Sequence, residues 1–292
     1  MLEIETLPQL RDPVLVVALS GWVDAGLAGG GSATLLREQA DSLRTFARLD
    51  LSDLMDLQQT RPTVHLVGGV QREIEWPAIT LSAGRLGRDV VLCVGPEPSL
   101  RWRAVLGELV DVARRLGVTE AFTLGGIPAM ASHRRPVSVL VTGSDEDVVN
   151  RAGAWRQDYS GPTGAQSVLQ VMLGEVGIPT LALWAQVPHY LSAGASPPAI
   201  RAVLERLREL SGVAVAVDGL EQQAAVYTRR VEEGLSDRPD VAEVIEAIEE
   251  GGGGNGGLGG DGGLDGDVPG EAELPSGDEL ASEIERFLRD QS

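Results

Sequence analysis

Short apolar runs alternate with longer amphipathic stretches over residues 1–190. The apolar runs predict strands, because short runs bounded by turn residues are typical of a buried sheet. The predicted strands are 14–19, 45–49, 63–67, 78–81, 90–94, 121–124, 136–142 and 180–183. The amphipathic stretches predict helices at 26–39, 99–116, 164–176 and 198–210. The pattern is clearest over 99–116, where apolar residues recur at helical spacing and Gly117 can end the helix in the left-handed conformation.

Strands that alternate with helices predict a largely parallel sheet with helices on both faces, because parallel neighbours need crossover connections. The closely spaced strands between residues 45 and 81 predict an antiparallel portion as well. The fold class is therefore expected to be α/β, with a mixed sheet.

The pattern changes after Gly212, where 220–233 and 241–250 are predicted as two helices with a break at 236–239. Residues 1–250 are accordingly expected to form one core domain with a helical C-terminal part. Dense glycine and acidic residues then predict a flexible linker at 251–275, because such a segment cannot bury enough apolar surface to offset the entropy of ordering.

A short amphipathic helix is predicted for 276–292. Ser276 and Glu279 fit a capping box. One face of this helix is apolar, with Leu280, Ile284, Phe287 and Leu288. It would dock onto the core domain or bind another protein.

Charge excludes several functions. The formal net charge is −19, and residues 236–292 carry −13 of it, so a strong basic face for nucleic acid is not expected. All basic residues are Arg, which excludes a P-loop lysine and a Schiff-base lysine. No apolar stretch has the length of a membrane span, and the N-terminal residues lack a basic n-region, so no signal peptide is expected. The single Cys93 is expected to be a buried thiol in a reducing cytoplasm.

Four motifs rich in Gly, Pro and aromatic residues predict one shared site. They are 20–26, 95–102, 159–164 and 184–190. The first, second and fourth follow predicted strands, and open α/β sheets bind ligands outside the carboxyl ends of their strands. The candidate ligand-binding residues are Trp22, Asp24, Glu97, Arg101, His133, Tyr159, Thr163 and His189.

Each of the first candidates has a structural alternative. Asp24 could be a general base or bind a ribose hydroxyl, or it could cap the helix that follows. Arg101 could hold an anion, or it could form an i, i+4 ion pair with Glu97. The glycines at 29–31 indicate close packing or a bound ligand, since three glycines weaken a helix.

The remaining candidates also have two interpretations. His133, with Arg134 and Arg135, forms a cationic cluster that fits an anion site, a subunit contact or a solvated loop. Thr163 is expected to cap the helix at 164–176, where backbone N–H groups could bind an anion. His189 and Tyr190 could act as an acid–base pair or have a structural role. No metal-ligand spacing and no G-x-S-x-G motif occur, so no metal, cofactor or hydrolase triad is expected.

Five motifs in order resemble the family of the second proteasome assembly chaperone, in its actinobacterial branch. They are 21–26, 95–98 with Arg101-Trp102, 124–128 with 133–136, 159–164 and 187–190. The resemblance implies a three-layer α/β/α sandwich similar to purine nucleoside phosphorylases, and self-association into homo- or hetero-oligomers.

That resemblance implies a non-enzymatic, oligomeric assembly or binding module, for example a homotrimer, with a protein partner. The alternative is a small-molecule-binding protein or a nucleosidase or phosphorylase-like hydrolase with a cleft at the strand ends. Relatives dock to the proteasome through a C-terminal hydrophobic-Tyr-any tripeptide. This sequence ends Asp290-Gln-Ser292, so insertion of that kind is not expected.

Overall fold

The computed structural model describes residues 2–154, 158–235 and 239–250. The strands are β1 Leu2–Ile4, β2 Val14–Ser20, β3 Asp41–Asp50, β4 Thr63–Val67, β5 Val70–Glu75, β6 Ala78–Leu86, β7 Arg88–Pro96, β8 Glu120–Ala129, β9 Val139–Gly143 and β10 Thr180–Pro188. Eight of them form the main sheet in the order β1-β3-β6-β7-β2-β8-β10-β9, and β4 pairs with β5 in a separate hairpin.

The four central strands, β7, β2, β8 and β10, are parallel. The strands outside them pair antiparallel on both sides. The predicted mixed sheet with a parallel centre is thus confirmed, as is the antiparallel portion between residues 45 and 81. We call the edge where the central strands end the carboxyl edge. Strand β6 begins at this edge, since Thr80 pairs with Val94 near the end of β7.

Helices cover both faces of the sheet, which confirms the predicted α/β/α layering. They are α1 Ala28–Gln39, α2 Trp102–Arg115, α3 Glu146–Arg151, α4 Ala165–Glu175, α5 Pro197–Ser211, α6 Asp218–Leu235 and α7 Pro239–Glu250. Alternate residues of β2 point to opposite faces: Val14 and Val16 join the core under α1 and α5, whereas Leu15 and Val17 join the core under α2 and α4.

Helices α6 and α7 form a third apolar cluster outside α5. Val231, Leu235 and Ile245 pack there against Tyr190 and Leu191. None of the helices in the described ranges is both long enough and apolar enough to cross a bilayer.

Three elements escape the predictions: β1, β5 and α3. Strand β5 has no apolar run, because its centre is Gln71-Arg72-Glu73. Helix α2 begins later than predicted, at Trp102, because Arg101 adopts a left-handed conformation (φ 57°). The predicted linker at 251–275 and the predicted helix at 276–292 lie outside the described residues, as do the last three residues of the chain.

Candidate functional site

The loop after β2 fills the gap between β2 and β8 at the carboxyl edge. The two strands pair only as far as Val17 and Thr123. Beyond that point Gly126 N donates to Val23 O at 2.9 Å, and Asp24 forms a bridge with Gly126. A Cβ on Gly125 would lie 2.2 Å from Val23 O, so glycine is required for this approach. The loop of the first motif therefore occupies the crevice that the separating strands create.

Gln166 bridges the same two strands from α4. Its buried side chain accepts from Leu19 N at 3.3 Å through Oε1, and its Nε2 donates to Leu124 O at 3.3 Å. Sequence reasoning missed this residue. The available signal was a glutamine on the apolar face of the predicted helix at 164–176. Gln166 supplies the hydrogen bonds that the diverging strands cannot make to each other.

Glu97 joins three segments at the carboxyl edge. Its carboxylate accepts from Trp22 N at 3.3 Å and from Ala165 N at 2.8 Å. Ala165 is the first residue of α4, and a carboxylate is favourable at a helix N-terminus. The helix cap is Gly164, so the prediction that Thr163 caps it is wrong: the side chain of Glu97, from another loop, takes that role.

Arg101 is exposed and precedes α2 as its N-cap. Glu97 thus lies before the helix, and no ion pair joins it to Arg101 in the described residues. The predicted i, i+4 geometry does not arise because the helix starts one turn too late.

Asp24 is a buried carboxylate at the start of α1. Its Oδ1 accepts from Gly29 N at 2.8 Å and from Gly30 N at 3.2 Å, while Oδ2 is buried without a hydrogen-bond partner. Burial raises the pKa of Asp24, and the two backbone N–H groups oppose that shift.

Two of the three glycines at 29–31 serve close packing. A Cβ on Gly29 would lie 2.4 Å from Leu124 O, and a Cβ on Gly31 would lie 2.4 Å from Ile200 Cδ1. Helix α1 therefore approaches the sheet and α5 more closely than a side chain permits.

His133 lies at the centre of a buried hydrogen-bonded chain. Tyr190 Oη accepts from His133 N at 3.1 Å and lies 2.8 Å from His133 Nδ1. His133 Nε2 lies 3.1 Å from Glu232 Oε1 on α6. An ionised Glu232 carboxylate can only accept, so the Nε2–H of a neutral imidazole donates to Glu232, and Nδ1 then accepts from the Tyr190 hydroxyl. Burial lowers the pKa of His133, which favours this neutral form.

The two arginines after His133 bind the C-terminal helices. Arg134 Nε donates to Glu232 Oε1 at 2.6 Å, and burial of this pair is partial. Arg135 donates to the carbonyl of Glu249 on α7 at 2.8 Å, and Ser132 Oγ donates to the carboxylate of Glu249 at 2.5 Å. We call Ser132, His133, Arg134, Arg135, Tyr190, Glu232 and Glu249 the His133 network. It fastens α6 and α7 to the loop after β8.

His189 packs its ring edge-on against Tyr190, with centroids 5.3 Å apart. Its Nδ1 is buried without a hydrogen-bond partner, and burial lowers the pKa of His189. Burial also raises the pKa of Tyr190 to about 12. The hydroxyl of Tyr190 contacts His133 instead of His189.

Tyr159 is exposed, and its hydroxyl donates to Pro162 O at 2.7 Å within its own turn. Four of the candidates form two groups at the carboxyl edge. Trp22 and Glu97 connect to α4, in the layer of α2, whereas His133 and His189 connect through Tyr190 to α6, beside α5. Ligand binding by the eight candidate residues stays a prediction.

Large apolar side chains are exposed at the carboxyl edge, beside exposed polar ones such as Arg101, Arg134 and Thr163. Five large ones lie in the loops there and are at least 45% exposed: Trp22, Leu27, Leu100, Met130 and Tyr159. We call these five residues the edge surface. Within the described residues, no three His, Cys, Asp or Glu side chains are arranged to hold a metal ion.

Known proteins of the same fold support a family assignment. A PAC2 family protein of Streptomyces avermitilis is 39% identical, with a TM-score of 0.74 over 80% of this chain and 100% of its own. A proteasome-assembly chaperone homologue of Mycobacterium tuberculosis is 35% identical, with a TM-score of 0.73 over 80% and 99% of the two chains. The archaeal proteasome activator PbaB of Pyrococcus furiosus shares the fold, with 19% identity and a TM-score of 0.65 over 80% and 97%.

No curated protein matches the chain. The sequence profile of the PAC2 family matches residues 18–235, which include the β2 loop, Glu97, Gln166 and most of the His133 network. The chain therefore belongs to the PAC2 family.

Proposed function

We propose that this protein is a non-enzymatic assembly or binding module of the proteasome-assembly-chaperone type, which forms a homo-oligomer and acts on a protein partner. Membership of the PAC2 family supports this function. So does the 35% identity to a proteasome-assembly chaperone homologue. The buried free thiol of Cys93 fits a reducing cytoplasm as the place where the protein works.

The composition of the carboxyl edge carries the proposal. This edge is where an open α/β sheet binds a small ligand. Here the β2 loop fills the gap between β2 and β8, and Glu97 and His133 hydrogen-bond to other parts of the chain. Several large apolar side chains are exposed there, with Trp22 67% and Met130 62% exposed, and exposed polar side chains such as Arg101 lie among them. Exposed aromatic and methionine side chains are typical of protein interfaces.

Assembly of proteasome α-subunits in vitro tests the function. Unassembled α-subunits are mixed with the protein, and ring formation is followed by native mass spectrometry. We expect faster or more complete ring formation, and we expect Trp22→Ser to reduce the effect. Val171→Ser is the matched control, since Val171 is 59% exposed on α4, away from the edge surface. The proposal is contradicted if the protein neither binds α-subunits nor changes ring formation.

A small-molecule site is the second candidate. Two buried polar atoms near the carboxyl edge, Asp24 Oδ2 and His189 Nδ1, have no hydrogen-bond partner, and a ligand could supply one. Purine nucleosides are the probe, with and without inorganic phosphate. A rise in melting temperature that Asp24→Asn abolishes, or release of free base, would favour this candidate over the assembly module.

A further inference from the structure

The hairpin of β4 and β5 is exposed along its whole length. Every residue of Thr63–Val67 and Val70–Glu75 is exposed, and the two strands form a sheet of their own. Gly68 and Gly69 connect them with positive φ angles of 60° and 80°, as a tight hairpin turn requires. We call residues 63–75 the arm. A two-stranded hairpin is only marginally stable in water, so the arm needs a covering surface.

The two faces of the arm differ in polarity. Val64 lies opposite Ile74, and Leu66 follows Val64 on the same face. On the other face His65 lies opposite Glu73 and contacts Glu75, with His65 Nε2 and Glu75 Oε2 3.5 Å apart. Val67 and Val70 lie opposite each other on this same face, next to the turn. Val64, Leu66 and Ile74 are 44%, 60% and 53% exposed. The ionisable residues His65, Glu73 and Glu75 are thus concentrated on one face, and the face with Val64, Leu66 and Ile74 lacks a cover within the described chain.

The edge surface is the matching apolar set. In the described residues, every exposed large apolar side chain belongs to the arm, to Trp76 next to it, or to the edge surface, except Val171 and Val176 at α4. Taken from their fractional exposures, the arm with Trp76 and the edge surface each present on the order of 500 Å² of apolar side chain. Two surfaces of equal size and like chemistry are therefore left open on one molecule.

The arm originates at the carboxyl edge. Its C-terminal strand leads into β6, which starts beside the end of β7. The segment before the arm also lies at this edge, because Leu54 O accepts from Ser99 N at 2.9 Å and from Leu100 N at 3.0 Å. The arm nevertheless leaves the edge surface of its own chain exposed. That surface is therefore accessible to the arm of a second copy.

We infer that the arm of one copy packs its Val64–Leu66–Ile74 face on the edge surface of a second copy. This inference rests on the proposed function, and it identifies a second copy of the chain as the partner of the edge surface. The two apolar sets present on the order of 1,000 Å² in total, which is the upper limit of the apolar contact because Val67 and Val70 lie on the other face of the arm. A polar rim around the contact brings it towards the size of a stable interface. Because arm and edge surface are different, the contact is head-to-tail and closes as a ring or as a reciprocal pair.

Two variants that lack complementary halves of the contact test this inference. The arm variant carries Val64→Ser and Leu66→Ser, and the edge variant carries Trp22→Ser and Leu100→Ser. Each alone should associate at least about 100-fold more weakly than the wild type in analytical ultracentrifugation, as loss of a hot spot does. An equimolar mixture should form one-to-one pairs, because it contains one intact arm and one intact edge surface. Val171→Ser is the control and should associate like the wild type.

Crosslinking gives a second measurement that does not depend on loss of binding. Cys93 is buried, so Leu66→Cys in one copy and Met130→Cys in another introduce the only accessible thiols among the described residues. A short bifunctional maleimide should join the two copies in the mixture, and should join Val171→Cys to neither.

Three results would overturn the inference: a monomeric wild type at micromolar concentration, a mixture of the two variants that stays monomeric, or crosslinking no stronger than with Val171→Cys. The proposed function fails separately. If the mixture pairs but the wild type leaves α-ring formation unchanged, self-association stands and the assembly role falls. If the wild type is monomeric and still promotes α-ring formation, the assembly role stands and self-association through the arm falls.

Discussion

The His133 network and the arm differ in the burial of their side chains. The network buries an imidazole and a phenol, which hydrogen-bond to each other, and the imidazole also hydrogen-bonds to the partly exposed Glu232 on α6. The arm exposes valine, leucine and isoleucine side chains to solvent. Polar residues that the sequence offers as ligand-binding candidates, such as His133, therefore hydrogen-bond within the chain. The apolar residues of the arm, which are typical of a core, are instead exposed.

The loop after β2 should tolerate the least change. Gly125→Ala places a Cβ 2.2 Å from Val23 O and close to Trp184, so we expect a loss of about 3 kcal/mol or more in the free energy of unfolding. Gly107→Ala in α2 is the matched control, since nothing lies within 4 Å of its Cβ. It should raise the free energy of unfolding by about 0.5–1 kcal/mol. Urea unfolding of both variants measures the difference, and equal effects would contradict the packing described here.

The buried hydroxyl of Tyr190 should have the next largest effect. Tyr190→Phe leaves His133 N and Nδ1 without their partner in a buried environment, so we expect a loss of about 2 kcal/mol in the free energy of unfolding. Tyr159→Phe removes an exposed hydroxyl that bonds only within its own turn, and should cost less than about 0.5 kcal/mol. A cost for Tyr159→Phe as large as that for Tyr190→Phe would remove the contrast between buried and exposed groups.

Acidification should weaken the His133 network. Burial lowers the pKa of His133 and of His189 from the ordinary value of 6.5, so the unfolded chain binds more protons than the folded chain below about that pH. The free energy of unfolding should therefore fall as the pH drops from 7.5 to 5.5.

His133→Gln isolates the contribution of His133 to this fall. The raised pKa of Asp24 has the opposite effect on the free energy of unfolding, because the Asp24 carboxyl keeps its proton to a higher pH in the folded chain than in the unfolded chain. The slope with pH should be shallower in His133→Gln than in the wild type when both are measured by chemical unfolding. Identical slopes would show that His133 is not buried as a neutral group.

The central sheet was predictable because its strands are covered on both faces and read as continuous apolar runs, as in Val14–Ser20. The shared edge of the candidate residues also followed from the strand ends. The contacts between them did not. Glu97 binds the N–H of Ala165, 68 residues away, and His133 binds Glu232, 99 residues away, and no local pattern specifies such pairs.

The arm shows a second limit of sequence patterns. Residues 63–67 were predicted as a strand and are one, yet all of them are exposed. An apolar run indicates a surface that needs a cover, but it does not indicate whether the cover comes from the same chain. Strand β5 escaped because its polar face places charged residues between the apolar ones.

The smallest effect on the isolated chain is expected in the arm. At nanomolar concentration, where we expect the copies to separate, Leu66→Ser should change the free energy of unfolding by less than about 0.5 kcal/mol, because Leu66 is 60% exposed. Leu124→Ala, in the buried core, should cost about 2–5 kcal/mol under the same conditions. At micromolar concentration the wild type should gain stability as its copies associate, and Leu66→Ser should not gain it. Melting temperatures measured across this range test both halves: a large cost for Leu66→Ser at the lowest concentration would place the arm on its own core, whereas a cost that grows with concentration identifies the second copy as its cover.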